Sequence, residues 1–542
     1  MGRRSGIARA AMTAQLVATA AAPPRVLPPV AVLPPESAGA RVVRVVAEAV
    51  PVIAVTVVAA FLRLHDLTAV GYNSDEAVYA GTSASMAGDT GLQGMFPVFR
   101  AHPLLFQTLV SLVYGRWPGE TAGRATAAVV GVLAVLMTCL IARRLYGPVA
   151  GAVAGLFLAV MPYHVVVSRQ VLLDGLLVLF ATAALYCVVR YCEETSLRWL
   201  VAAAAMMGLA ALSKETAIVL VGSLYGFFAV TTSVKVRLRD VAVSLGVLGL
   251  VVMAFPYVVA RSGRSSTGQN YFLWQLSRRP NHETWFYAQV VPPAVGWLLI
   301  VAAVVGLVWL RRLNGWRESL LLWWVAVPAV FFTLWPVKGY QYLLPVAPVV
   351  AVLAARAVAN LARLRPLAQR RRRRRLAIAV AAFALATSLV VPTWALVSPS
   401  SGSTFLAGTG GVPGGREAGL WLKEKVPVGA QLLAVGPSMA NILQFYGRHR
   451  VYGLSVSANP RDRNPAYTPV SNPDLWVRSG RVQYLVWDSY SAERTPFFTD
   501  KLNRLVDRYH GVAVYTATVD VATTSGARAP KPVVIVYQVW VS

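Results

Sequence analysis

The sequence contains few cysteines and few charged residues. Its three cysteines, Cys139, Cys187 and Cys192, lie in or beside apolar segments, so it has neither a disulfide framework nor a CxxC-type metal cluster. Only 14% of the 542 residues are charged, whereas 56% are hydrophobic. This composition excludes an ordinary soluble protein and indicates a protein that spans a membrane.

Acidic residues are also scarce relative to basic ones, 23 against 51, which gives a formal net charge of +28. In a soluble chain this excess would suggest binding to nucleic acid. Here, however, the arginine run 370–375 lies between two long apolar segments. Because cytoplasmic loops of membrane proteins are rich in Lys and Arg, the charge indicates topology, and no nucleic acid partner is expected.

A helix needs about twenty mostly apolar residues to cross a membrane. About eleven segments qualify, at 43–63, 124–141, 148–167, 171–190, 198–213, 215–231, 240–260, 291–310, 319–336, 341–361 and 376–397. Clusters of Arg and Lys occupy alternate loops, which predicts that those loops are cytoplasmic. The first loop (64–123), the loop 261–290 and everything after about 398 then lie outside.

Three regions follow from this pattern. Residues 1–42 contain several prolines and little periodicity, which favours a flexible cytoplasmic tail; a signal peptide is the alternative, because Arg3 and Arg4 precede an Ala-rich stretch. Residues 43–397 form the transmembrane domain. Residues 398–542 alternate β-rich runs, such as 482–487, with helical patterns, such as 415–425 and 499–509, which predicts a small extracytoplasmic α/β domain.

Several ionisable residues lie near predicted outer helix ends. Asp75 and Glu76 form an acidic pair after the first helix; they are either a general base or cation site, or the first turn of a surface helix. Asp174 and Lys214 interrupt apolar segments; each is either part of a site or an interfacial anchor. In the loop 261–290, basic and aromatic residues suit a lipid phosphate or a sugar, but they also suit an ordinary aromatic belt.

Seven motifs stand in order on the predicted outer side. They are Ser74-Asp75-Glu76, His102-Pro103-Leu104-Leu105, Arg124 opening the second span, Leu172-Leu173-Asp174, the run Gly208 to Lys214, His282-Glu283-Thr284-Trp285-Phe286-Tyr287, and Tyr342-Leu343-Leu344-Pro345. Over roughly residues 45–360 the sequence thereby resembles the GT-C glycosyltransferases of the protein O-mannosyltransferase and lipid A aminoarabinose transferase type. This resemblance implies an all-α polytopic membrane protein of about eleven transmembrane helices, with the α/β domain at its C-terminus.

The resemblance also implies a function. The family transfers a sugar, with inversion, from a polyprenyl-phosphate donor to a hydroxyl group on the outer face of the membrane. It implies Asp75 as the general base, assisted by Glu76, and Asp174 as an orienting carboxylate. The residues implied to bind the donor and its phosphate are Arg124, Lys214, Arg261 and Tyr342, and those implied to bind substrate are His102, Trp285 and Tyr287.

Two departures from the family pattern concern the His102 motif. The aminoarabinose transferases have an acidic residue and a Lys before Pro-Pro-Leu, where this sequence has Ala101 and His102. That acid belongs with the histidine of the later loop in a metal site, so His282 is a candidate ligand without its expected partner, and a divalent metal ion stays an open expectation. In addition, Leu104 replaces the second proline.

The acceptor follows from none of these residues: it is a protein, a lipid or a cell-wall glycan. The main alternative function is a transporter or flippase of lipid-linked sugars, which would also need intramembrane charges. The richness in Ala, Val and Arg suggests a prokaryote with a GC-rich genome. We therefore expect a multi-pass protein of a prokaryotic plasma membrane.

Overall fold

The computed structural model describes residues 38–99, 102–262, 274–275, 278–308, 315–361, 371–398, 412–522 and 528–540. Most of the predicted tail 1–42, the arginine at position 370 and much of the loop 261–290 lie outside the described residues. The chain divides into two units, Met1–Ala49 and Val50–Ser542, and the site lies within the second. One helix, Ala38–Leu64, begins inside the predicted tail.

The apolar segments form helices. In the membrane part the α-helices are Ala38–Leu64, Ser74–Met86, Thr90–Gln93, Leu105–Tyr114, Glu120–Tyr146, Pro148–Val160, Pro162–Ser168, Leu173–Glu194, Leu197–Ser213, Ile218–Val230, Leu238–Val252, Ala254–Arg261, Phe286–Val295, Trp297–Val308, Trp316–Leu334, Ala347–Asn360 and Arg371–Val397, with 3-10 helices at Glu215–Ala217 and Tyr340–Val346.

Within the described residues, seven helical segments are long and apolar enough to cross a membrane. Two more spans result if each sharply bent pair is counted as one: Pro148–Val160 with Pro162–Ser168, bent by 62°, and Phe286–Val295 with Trp297–Val308, bent by 93°. The first bend follows from Pro162, because a proline disfavours helical geometry in the residue before it. Gly296 allows the second, with φ at +98°.

Two predicted spans are short. Leu197–Ser213 and Glu215–Val230 are apolar helices of 10–17 residues, separated by Lys214 in extended conformation (φ −158°, ψ 131°). Lys214 therefore lies between the ends of two apolar helices and not in the middle of one. The predicted number of eleven crossings depends on these two helices.

The helix Ser74–Met86, here called the acidic helix, begins with a capping box. The Asn73 side chain accepts from the backbone N–H of Glu76, and the Glu76 carboxylate accepts from the backbone N–H of Asn73. Its inner face consists of small buried residues. At Gly81 an added Cβ would lie 2.5 Å from the Phe96 ring, so this helix packs too closely for any side chain there.

The C-terminal part contains a small five-stranded sheet, as predicted. Its strands are β1 (Gln431–Ala434), β2 (Arg450–Gly453), β3 (Tyr484–Asp488), β4 (Val512–Ala522) and β5 (Arg528–Gln538), in the order β2-β1-β3-β5-β4. Strand β1 runs parallel to β2 and β3, whereas β5 runs antiparallel to β3 and β4. Helices Gly415–Lys425, Pro437–Gly447, Pro473–Arg478, Ser489–Arg494 and Pro496–Arg508 complete this part.

The helix Pro437–Gly447 packs directly on the acidic helix. Ala77 and Ala80 of the acidic helix share one buried apolar cluster with Ile442 and Leu443. Polar contacts reinforce this packing, because the Asn441 amide donates to the Ser74 hydroxyl over 3.0 Å. The C-terminal part therefore holds the start of the acidic helix in place.

Candidate functional site

A cavity of about 1400 Å³ lies between the ends of the membrane helices and the C-terminal sheet. Five of the eleven predicted site residues line it: Asp75, His102, Lys214, His282 and Tyr342. They come from five separate motifs, so the fold gathers side chains that are far apart in the chain. The other six predicted site residues do not line the cavity in the part of the chain that the structure describes.

Asp75 lies in the first turn of the acidic helix and is half-buried. Burial raises the pKa of Asp75 above its ordinary value, while the positive charge of Lys214 opposes the rise. A carboxylate with a raised pKa is a better proton acceptor than an exposed one. Its place in the cavity wall and its raised pKa agree with the general base that the motifs predict.

Lys214 lines the cavity close to Tyr342 and is held by Asp174. Its Nζ donates to both oxygens of the Asp174 carboxylate, each over 2.9 Å, and both side chains are buried. The same Nζ lies 4.8 Å from the centre of the Tyr342 ring. Asp174, predicted as an orienting carboxylate, is not among the described residues that line the cavity and instead binds Lys214.

His102 pairs with a residue that the sequence motifs did not single out. Its Nδ1 lies 2.9 and 3.0 Å from the two carboxylate oxygens of Glu215, and the ring edge of His102 packs against Tyr79. In the sequence, the position of Glu215 directly after Lys214, between two apolar runs, was the one feature that could have marked Glu215 as a site residue. The pair fixes the His102 ring in the cavity wall.

Glu76 and Arg124 form a buried ion pair away from the cavity. Both side chains have an exposed fraction of 0%, and two nitrogens of Arg124 donate to the Glu76 carboxylate over 2.8 Å. Arg124 also donates to the backbone oxygens of Leu67 and Val70, each over 2.6 Å. Neither Glu76, predicted to assist the base, nor Arg124, predicted to bind the donor phosphate, is among the described residues that line the cavity.

Three predicted loop residues also lie elsewhere. Arg261 is exposed at the end of its helix, beside the Tyr257 ring. Trp285 is 69% exposed. Tyr287 is buried, and its hydroxyl is bonded to the backbone of Gly339 over 3.1 and 3.2 Å. None of the three lines the cavity in the part of the chain that the structure describes, and their roles in binding donor and substrate stay predictions.

Further cations line the cavity, among them Lys338 and Arg278. Lys338 is buried, with Nζ donating to the backbone oxygen of Trp335 over 2.9 Å. The Arg278 guanidinium lies 4.6 Å from the centre of the Trp274 ring. Together with Lys214, which pairs with Asp174, they bring positive charge to the cavity wall. Such a wall suits a phosphate group.

The residues around His282 do not fit a divalent metal ion. Its ring stacks on Phe286, with ring centres 4.2 Å apart. Burial, and then the positive charges of Lys338 and Arg494, hold the pKa of His282 below its ordinary value. Among the described residues no group of three or more His, Cys, Asp or Glu side chains is placed to hold a metal. A cation at His282 would be repelled by Lys338 and Arg494.

Comparisons with known proteins agree with the motifs. Residues 102–259 match the family described as dolichyl-phosphate-mannose-protein mannosyltransferase. An undecaprenyl phosphate-alpha-4-amino-4-deoxy-L-arabinose arabinosyl transferase of Pectobacterium carotovorum is 25% identical over 258 residues, which are 44% of this chain and 46% of that protein. The match thus spans about half the length of this relative.

Solved structures extend the likeness over most of the chain. ArnT from Cupriavidus metallidurans in the apo state superposes with a TM-score of 0.67 at 18% identity, covering 91% of this chain and 98% of ArnT; its structure bound to undecaprenyl phosphate gives 0.63. The archaeal oligosaccharyltransferase AglB from Archaeoglobus fulgidus gives 0.55 at 14% identity, covering 90% of this chain and 74% of AglB. The resemblance drawn from the motifs is confirmed: the chain has the fold of the GT-C membrane glycosyltransferases.

Proposed function

We propose that this protein is a glycosyltransferase that moves a hexose or pentose from a polyprenyl-phosphate donor to a hydroxyl acceptor. The observation that carries the proposal is the cavity, in which Asp75 faces the same space as Lys214, Arg278 and Lys338. A carboxylate base and a positive wall are the two things that this transfer requires. The arabinosyl transferase relative and the ArnT structure with undecaprenyl phosphate support the donor class.

The reaction then runs as a single displacement. Asp75 accepts the proton of the acceptor hydroxyl while the acceptor oxygen attacks the anomeric carbon. The bond between that carbon and the phosphate oxygen breaks, and polyprenyl phosphate leaves with the bonding electrons. Because the acceptor oxygen attacks the face of the anomeric carbon opposite the leaving phosphate, the configuration inverts. The positive wall stabilises the charge that develops on the leaving phosphate.

Three of the predicted residues act through others. Asp174 holds Lys214 in place. Glu76 and Arg124 hold the start of the acidic helix, because Glu76 also accepts from the backbone N–H of Val171 over 3.0 Å. Glu76 and Arg124 are therefore positioning residues for Asp75, and Asp174 is a positioning residue for Lys214.

The reaction takes place on the outer face of a prokaryotic plasma membrane. In this proposal the N-terminus is cytoplasmic, about eleven helices in residues 43–397 cross the membrane, and the α/β region 398–542 is extracytoplasmic. The alternation of basic loops along the sequence supports this orientation. The cavity then opens where a flipped lipid-linked sugar and an acceptor in the cell envelope can meet.

The test is release of polyprenyl phosphate by the purified full chain. Polyprenyl phosphates carrying labelled mannose, arabinose or glucose are incubated with the protein and an extract of cell-envelope acceptors. We expect release of the lipid phosphate from one of these donors, with the label moving to an acceptor. If the labelled lipid instead moves between leaflets without release, the protein is a flippase, an alternative that the relatives do not support.

A further inference from the structure

The carboxyl ends of the three parallel strands meet at the cavity. Within four residues after the ends of β1, β2 and β3 come Ser438, Ser455 and Ser489, and all three line the same cavity as Asp75. In the order β2-β1-β3, strand β2 lies on one side of β1 and strand β3 lies on the other, so the direction of strand addition reverses at β1. In open α/β sheets, ligands bind in the crevice outside the strand ends at this kind of reversal.

This wall carries hydroxyl, amide and phenol groups. Besides the three serines, Ser457, Asn464, Tyr467 and Tyr490 line it. Hydroxyl and amide groups both donate and accept hydrogen bonds, which matches the hydroxyl groups of a sugar. Aromatic rings offer flat apolar faces for its C–H groups. We call these seven residues the strand-edge wall.

Charges near the strand-edge wall balance one another. Two acidic and two basic side chains line the cavity here, Asp462, Glu493, Arg463 and Arg494, and Asp462 also forms an ion pair with the exposed Arg279 over 3.4 Å. The arginines already have partners, since Arg463 donates to the backbone oxygen of Ala458 over 3.0 Å and Arg494 stacks on Tyr490 at 3.7 Å. Acidic and basic side chains are thus equal in number among the lining residues of this side, whereas the lining residues Lys214, Arg278 and Lys338 are all basic.

The strand-edge wall is fixed relative to the proposed base. Asn441 donates both to the Ser74 hydroxyl, over 3.0 Å, and to the Tyr467 hydroxyl, over 3.1 Å. One side chain thus connects the residue before Asp75 to the strand-edge wall. The cavity volume of about 1400 Å³ also exceeds the roughly 300–1,000 Å³ of common small-molecule sites. There is room for an extended ligand beside a donor sugar.

We propose that the strand-edge wall binds an uncharged glycan and presents one of its hydroxyl groups to Asp75. This inference rests on the proposed function and names its acceptor class. The glycan hydroxyl loses its proton to Asp75, a glycosidic bond forms to its oxygen, and the bond from the sugar to the donor phosphate breaks. A phosphorylated lipid and a protein hydroxyl are the competing acceptors.

Binding is measured first, without donor. Neutral linear hexasaccharides of mannose, arabinose, glucose or galactose are added to the full chain in nanodiscs, and saturation-transfer NMR detects contact. The same sugars bearing one phosphate ester and a Ser/Thr-rich peptide are the competing probes. We expect one neutral hexasaccharide to bind at least ten-fold more tightly than its phosphorylated form and than the peptide.

Two variants locate the binding. Ser457→Trp fills the strand-edge wall and should weaken glycan binding at least ten-fold, whereas Ser457→Ala should weaken it only a few-fold because one hydroxyl is lost. Ser471→Trp, at an exposed serine of the same part of the chain, is the matched control and should bind as wild type does. An unchanged melting temperature shows that each variant is folded.

The outcomes separate this inference from the proposed function. Tighter binding of the phosphorylated sugar or the peptide, or full glycan binding by Ser457→Trp, overturns the glycan acceptor even if wild type releases polyprenyl phosphate. Glycan binding that is lost in Ser457→Trp supports the subsite. If wild type releases polyprenyl phosphate from none of the donors, the proposed transferase activity is wrong. Glycan binding at the strand-edge wall would then have no role in sugar transfer.

Discussion

Glu76→Gln separates a structural role from a catalytic one. The Glu76 carboxylate accepts four hydrogen bonds, two from Arg124 over 2.8 Å, one from Val171 over 3.0 Å and one from Asn73 over 3.2 Å. The glutamine amide has one oxygen for these four donors, and its NH₂ group faces N–H groups. The substitution also removes the negative charge that compensates a fully buried guanidinium.

The expected cost is large. Breaking a buried ion pair by removing one partner costs about 3–5 kcal/mol. Glu120 lies 3.0 Å from Arg124 and stays in place, so we expect the lower half of that range. We therefore expect Glu76→Gln to lower the melting temperature by several degrees, as measured by tryptophan fluorescence in detergent. The transfer rate should also fall, because the start of the acidic helix loosens.

Two comparisons make the result interpretable. The double variant Glu76→Gln/Arg124→Met removes both charges and should be more stable than Glu76→Gln alone. Asp75→Asn should keep or raise the melting temperature, because burial makes ionisation of Asp75 unfavourable in the folded state. If Glu76→Gln keeps the wild-type melting temperature and loses only activity, Glu76 takes part in the reaction and the positioning role is wrong.

Other predictions concern the rest of the site. Burial raises the Asp75 pKa, and a base acts only when deprotonated, so the transfer rate should fall with decreasing pH through a pKa above that of an exposed aspartate; a flat profile in mild acid contradicts this. Asp174→Asn removes the carboxylate that holds Lys214, so the KM for the lipid donor should rise, and less so in Asp174→Glu; equal KM values in both variants would refute it. Asn441→Ala loses two hydrogen bonds worth about 1 kcal/mol each, so the melting temperature should fall by a few degrees and kcat several-fold, whereas an unaltered kcat argues against coupling to the acidic helix. Because the neighbours of His282 are cationic, a chelator should leave the rate unchanged, and loss of activity that zinc restores would contradict that.

The sequence predicted the cavity residues that lie at ends of apolar segments. Asp75, His102 and Lys214 each stand where an apolar run starts or stops, so the topology alone brings them to one side of the membrane. The motifs did not show toward which side of the acidic helix each side chain points. Glu76 follows Asp75, but successive residues of a helix point about 100° apart, and this turns Glu76 to the buried Arg124.

Contacts between distant segments also escaped prediction. Glu215 meets His102 across 113 positions, and no local pattern records that distance. The helix Gly415–Lys425 was predicted with the bounds that it has, because a short amphipathic helix is encoded locally. The predicted span 148–167 is broken at Met161, since Pro162 acts on the residue before it.

The central claim is that Asp75 removes the acceptor proton. The most direct measurement is the rate of polyprenyl phosphate release by Asp75→Asn beside wild type, with Asp500→Asn, at an exposed aspartate, as the matched control. General base catalysis contributes about 10²–10⁴-fold, so Asp75→Asn should lose at least a hundred-fold in rate while Asp500→Asn keeps the wild-type rate. A folded Asp75→Asn protein that releases the lipid phosphate at the wild-type rate would contradict the account.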